Sequence, residues 1–141
     1  MKILFATDGS PFALGALTSL VGKLDRFREP LEILLLNVHP PLPYRGAASW
    51  AGKEAIARYY DEEGEAALAD SRKLLEARKV TFTATKTVGE PAQGIVAYAG
   101  AAGCDFIAMG TQGHGALSNL VMGSVTTKVL ALATFPVLLL K

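Results

Sequence analysis

Short apolar runs alternate with longer amphipathic stretches along the whole chain. Residues 2–7 (KILFAT) form the first run. It is closed by Asp8, Gly9 and Ser10, which favour turns, and it reads as a buried strand. Ser10 can cap a helix, and Pro11 suits its first position. Leu14, Leu17, Val21 and Leu24 then recur at helical spacing until Pro30. Residues 31–38 (LEILLLNV) are interrupted only by Glu32 and Asn37, as in a central strand buried on both faces. Residues 39–52 hold three prolines with Tyr44 and Trp50, and read as a long mobile loop. A helix is predicted over 53–79, with Ile56, Tyr60, Ala67, Ser71, Leu74 and Leu75 inward. On its outer face Arg58 can pair with Glu54 and Glu62, while Gly64 weakens its middle. The alternation in 80–88 (VTFTATKTV) predicts a strand nearer a sheet edge. Gly89, Glu90 and Pro91 open a helix with Ile95, Val96 and Ala99 inward, and Gly100 and Gly103 end it. A fourth strand is predicted over 105–109 and a glycine-rich connection over 110–123. A helix over 124–133 follows, with Val125, Val129 and Leu132 on one face, and then a fifth strand over 136–140 (PVLLL).

This alternation predicts an α/β fold, a single open, five-stranded parallel sheet with helices on both faces. Ligands of such sheets sit beyond the carboxyl ends of the strands. The loops to watch are 8–10, 39 onward and 110–123.

Composition narrows the function classes. The 141 residues fit one domain, 1–141, and 50% are apolar, which excludes a disordered chain. The net charge is +1, from 14 Lys+Arg against 13 Asp+Glu, which argues against a dedicated nucleic-acid binder or a polybasic membrane anchor. Cys104 is the only cysteine, so no intramolecular disulfide or Cys-rich zinc site is possible. No run approaches the ~18 apolar residues of a membrane span, and the start lacks the longer apolar region of a signal peptide. The expectation is a soluble, cytoplasmic protein. Glycine is in surplus: 14 residues, six of them from Gly100 to Gly123, which points to a special backbone shape there.

That shape has a chemical reading. Gly110-x2-Gly113-x9-Gly123-Ser124 follows a strand and precedes a helix. Glycines let backbone N–H groups approach an anion, and the helix start adds the positive end of its dipole. Ser124, Thr126 and Thr127 add hydroxyls for phosphate oxygens. The pattern is neither a Walker loop, since Gly-Lys-Ser/Thr is absent, nor a dinucleotide fingerprint, since Gly-x-Gly-x-x-Gly is absent. Plain turn-making remains the other reading of these glycines. Asp8 either makes an ordinary turn or meets a ribose, a base or a metal; near phosphate it implies a metal. Val38 is either core or a backbone that reads an adenine edge. His39, Cys104, Trp50, Tyr59, Tyr60, Glu62, Glu63 and Glu65 read as solvent-facing or packing residues.

The chain resembles the universal stress protein family over essentially its whole length. The resemblance is carried by ILFATDGSPFA, LLLNV, GEPAQGIVAYA, CDFIAMGTQGHGALSNLVMGSVTTKVL and PVLLLK. It implies a Rossmann-like sheet of order 3-2-1-4-5. The glycine spacing matches the family's ATP-binding branch, which implies ATP or a similar adenine nucleotide with Mg2+ or Mn2+. The resemblance assigns Ala6, Thr7 and Asp8 to the ribose and metal side, with Asp8 as the metal ligand, and Val38 to adenine. Met109 and Gly110 lie under the ribose, while Gly113, His114, Gly123, Ser124, Val125 and Thr126 form the phosphate turn. His114 departs from the family's usual Arg or Lys. The family also implies a homodimer through the C-terminal strand. Three functions follow: a nucleotide-binding regulator, a slow ATPase or phosphoryl or nucleotidyl transferase, and a nucleotide-free interaction protein. The region from Gly110 to Thr127 contains no Lys or Arg, which ranks binding above catalysis.

Overall fold

The first strand, β1 (Lys2–Ala6), leads into helix α1 (Pro11–Val21) because Ser10 and Pro11 start a helix at once. The Ser10 hydroxyl accepts from the Ala13 amide at 3.2 Å. The computed structural model describes residues 1–43, 45–115 and 122–141, with the backbone alone over 45–51. The remaining elements are β2 (Glu32–His39), α2 (Arg45–Ala77), β3 (Phe82–Val88), α3 (Pro91–Ala102), β4 (Phe106–Gly110), α4 (Ser124–Leu132) and β5 (Val137–Leu140). The strands form one parallel sheet, as the alternation predicts, in the order β3-β2-β1-β4-β5 that the family resemblance implies.

Alternation along the strands assigns each side chain to a face. Ile3, Phe5, Ile33 and Leu35 meet Leu17 and Leu20 of α1 and Leu68 and Leu75 of α2. Leu4, Leu36, Val38, Ile107 and Met109 meet Ile95 and Ala99 of α3 and Val129 of α4. Helices therefore cover both faces, and the strand order reverses beside β1. The crevice at that switch point opens between the ends of β1 and β4.

Several local expectations are corrected. Helix α1 ends at Val21, capped by Gly22, and Leu24 lies in a separate 3-10 turn. The predicted loop over 39–52 is largely helical: α2 starts at Arg45 and is broken at Gly52, whose φ is 76°. The prolines at 40, 41 and 43 all precede this start, and the stretch after them is rich in alanine, a strong helix former. Tyr44 and the side chain of Trp50 lie outside the described residues. In α2 the central inward residue is Leu68, and Gly64 is buried too. Among the described residues no ion pair joins Arg58 to Glu54 or Glu62; Glu65 instead meets Lys86 at 2.5 Å and Arg72 at 3.0 Å. In α4 the inward residues are Thr126 and Val129, one turn apart, while Leu132 is 46% exposed.

Candidate functional site

The turn after β1 is held from three sides. The Thr7 amide donates to Leu36 O at 2.9 Å, and Asn37 Nδ2 donates to Thr7 O at 2.9 Å. Thr7 Oγ1 accepts from the Gly9 amide at 3.1 Å. Gly9 has a φ of 77°, and a Cβ there would lie 2.7 Å from Ala67 Cα, so α2 presses directly on the turn. This leaves Asp8 at the exposed rim. Its Oδ1 accepts from the Ser10 amide and its Oδ2 from the His114 amide, both at 2.9 Å. His114 Nε2 lies 2.9 Å from Asp8 O. A carbonyl can only accept, so Nε2 carries the proton in this contact.

The opposite wall is the glycine-rich segment after β4. Thr126 Oγ1, buried, donates to Gly110 O at 3.0 Å and ties the start of α4 to the end of β4. The Gly123 amide donates to Thr111 O at 2.7 Å. Gly123 has no side chain to cap α4, so the first-turn amides at Ser124, Val125 and Thr126 have no intrahelical acceptor. A Cβ at Gly113 would run into Asp8 Oδ2.

Between these walls lies a cavity of about 370 Å3. The twelve residues assigned by the resemblance line it: Ala6, Thr7, Asp8, Val38, Met109, Gly110, Gly113, His114, Gly123, Ser124, Val125 and Thr126. Thr127, also read as a hydroxyl for phosphate, does not: its Oγ1 donates back to Gly123 O at 3.0 Å, one turn earlier in α4. Sequence reading missed Ala13, Leu36, Pro40, Pro91, Ile95 and Gly115, and drew nothing from Gln112, which also lines it. Pro40 and Pro91 carried a usable signal, since Pro40 directly follows the carboxyl end of β2 and Pro91 opens α3 three residues beyond the end of β3. Leu36, Val38, Pro40, Pro91 and Ile95 give the cavity one apolar end, and Asp8 and the glycine segment give it a polar one.

Asp8 and His114 are the only ionisable side chains among the described lining residues. Lys128 turns away, with Nζ 3.5 Å from Glu90 Oε1. Among the described residues no three His, Cys, Asp or Glu cluster as a metal site. A divalent cation would rest on Asp8, whose two oxygens each accept one amide bond and keep lone pairs free, together with ligand oxygens and water.

Residues set aside as packing or solvent-facing need one correction. His39 is half-buried: its edge meets Tyr59 and Tyr60, with ring centroids at 5.7 and 5.5 Å, and its Nδ1 lies 2.7 Å from Pro40 O. The Tyr60 hydroxyl accepts from the Leu42 amide at 2.8 Å, so this aromatic pair anchors the segment after β2. Cys104 is partly buried, and burial pushes its thiol pKa up, away from a reactive thiolate.

The universal stress protein family matches residues 1–141. This chain belongs to the universal stress protein family. Universal stress protein MJ0531 of Methanocaldococcus jannaschii is 33% identical over 99% of this chain and 81% of its own. A universal stress protein of Thermus aquaticus is 34% identical over 99% and 97%. The solved structure of hypothetical protein MJ0577 is 29% identical, covers 99% of this chain and 94% of its own, and superposes with a TM-score of 0.81. More distant members share the fold. One from Arabidopsis thaliana has AMP bound, at 18% identity and TM-score 0.70, covering 100% of this chain and 91% of its own. One from Archaeoglobus fulgidus is in complex with dAMP, at 24% identity and TM-score 0.60, covering 100% and 98%. No helix among the described residues is long and apolar enough to cross a membrane.

Proposed function

We propose that this family member is a cytoplasmic, regulatory adenine-nucleotide binder that holds ATP with Mg2+ or Mn2+ and acts as a homodimer through β5. The observation that carries the reading is the convergence of three distant chain segments on one cavity. That cavity has an apolar end suited to a base and a glycine-lined end suited to phosphates. The AMP and dAMP complexes of related folds support the ligand class. Val38 and the apolar lining would take adenine, Met109 and Gly110 the ribose, and the amides at Gly113 and from Ser124 to Thr126 the phosphates. Asp8 would share the cation with phosphate oxygens, and the cation would offset the charge between them. Holding rather than transferring the phosphates is favoured because the described lining has no Lys or Arg to stabilise a moving phosphoryl group.

The test is nucleotide recovery. Purified protein is denatured, and the supernatant is resolved by ion exchange. Thermal shifts are recorded with AMP and ATP, with and without Mg2+. Co-purified adenine nucleotide, or a clear upward shift, is expected. No nucleotide and no shift with any of them overturns the proposal.

A further inference from the structure

The glycine segment already carries an anion. Asp8 Oδ2 accepts from the His114 amide, and Oδ1 is fixed by the Ser10 amide. The contact is built from both sides, since the His114 ring returns a bond to Asp8 O and Gly113 leaves out the one atom that would displace the carboxylate. Gly113 needs no left-handed backbone, because its φ lies outside that region. The space it leaves is filled by the carboxylate of Asp8. Among the described lining residues this is also the only carboxylate, and no Lys or Arg offsets it. A phosphate chain growing along the segment approaches a fixed negative charge, and each added phosphate increases the repulsion.

We propose that Asp8 determines how many phosphates the site accepts: seated on the His114 amide, its carboxylate disfavours a polyphosphate relative to a monophosphate unless a divalent cation lies between them. The inference rests on the adenine-nucleotide reading above and makes Asp8 a specificity residue of that site. It predicts a monophosphate preference when no cation is present.

Calorimetric titration of AMP and ATP in EDTA and in Mg2+ tests this with the full chain and Asp8→Asn. Asparagine keeps the shape and removes the charge; its one acceptor oxygen can hold only one of the two amide bonds, from Ser10 or from His114. In EDTA the wild type is expected to bind AMP more tightly than ATP. Asp8→Asn should raise the ATP-to-AMP affinity ratio about tenfold or more. In Mg2+ the ratio should rise in the wild type and change less in Asp8→Asn. A second measurement needs no variant. In EDTA, added KCl that shortens the Debye length from about 30 to about 8 Å should raise the wild-type ratio, because it screens a repulsion. A ratio that is the same in both proteins, or that falls with salt, overturns the role of Asp8 while leaving nucleotide binding standing. Failure of every adenine nucleotide to bind either protein overturns both.

Discussion

Gly9, in the turn behind Asp8, and Gly113, on the cavity wall, are glycine for different reasons. Gly9 has a left-handed backbone, and a Cβ would enter the backbone of α2 at Ala67. Gly9→Ala therefore combines dihedral strain with overpacking, and should lower stability by roughly 2–4 kcal/mol. Chemical denaturation reads this as a fall in the midpoint. Gly113 has neither problem with its backbone nor a packed neighbour other than Asp8. Gly113→Val should leave the melting temperature within a few degrees while cutting AMP affinity about tenfold, roughly 1.4 kcal/mol. Unaltered affinity in that variant would show that phosphates do not approach this residue. Sequence spacing marked both glycines, but only the structure separates a fold requirement from a site requirement. At Cys104 the direction is also clear: a thiol pushed up by burial should react slowly with alkylating agents at neutral pH.

At the level of elements, α3 packs on β2 through Gly94, where an added Cβ would come 2.9 Å from Val38 Cγ1. Alanine there gains about 1 kcal/mol of helix propensity and loses about 1–3 kcal/mol to overpacking. Val38 is β-branched and cannot swing aside cheaply. Gly94→Ala should thus lower stability by about 0–2 kcal/mol and weaken AMP binding severalfold, because Val38 lines the apolar end of the cavity. Helix α2 is tied to β3 by a different device, the Lys86 ammonium between Asp61 and Glu65. The Lys86 hydrogen bond holds Glu65 below its ordinary pKa. Its stabilising contribution is full above the unfolded value of ~4.3 and is lost as pH falls through the lower folded value. The hydrogen bonds that the Lys86 ammonium donates to Asp61 and Glu65 hold it above its ordinary pKa, so its contribution is full below ~10.4 and is lost as pH rises through the folded value. The stability gap between wild type and Lys86→Met should be flat between about pH 5 and 10 and shrink outside that window. The starts of α1 and α3 were legible because the caps are local: Ser10 and Pro11, Glu90 and Pro91 act within one turn. The start of α2 was not, because three prolines mask an alanine-rich turn beyond them. Leu132 and His39 were misread for a tertiary reason. Which side of a helix is covered, or whether Tyr59 and Tyr60 close over a strand end, depends on segments distant in sequence.

For the whole molecule, a net charge of +1 accommodates an anionic ligand only if amides, a helix dipole and a cation replace Lys and Arg. It also leaves the sheet edges without a strong repulsive field. Strand β5 is such an edge. The Ile107 amide donates to Pro136 O and the Thr111 amide to Leu140 O, so residues 136, 138 and 140 face β4. In a parallel ladder the intervening residues, Val137 and Leu139, then present their N–H and C=O groups to the open side. All four residues of β5 are only partly buried, and Leu130 and Leu132 are exposed on the preceding helix. Exposed apolar edges invite pairing with another chain, which is the physical basis of the proposed homodimer. Leu139→Pro removes the outward N–H and leaves the β4 ladder intact, as prolines on edge strands do. Light scattering should give about 30 kDa for the wild type, twice the 14.9 kDa chain, and the single-chain mass for Leu139→Pro, with the circular dichroism spectrum retained. A wild type that stays at 14.9 kDa at high concentration overturns the homodimer, and a Leu139→Pro variant that still dimerises places the partner surface away from β5.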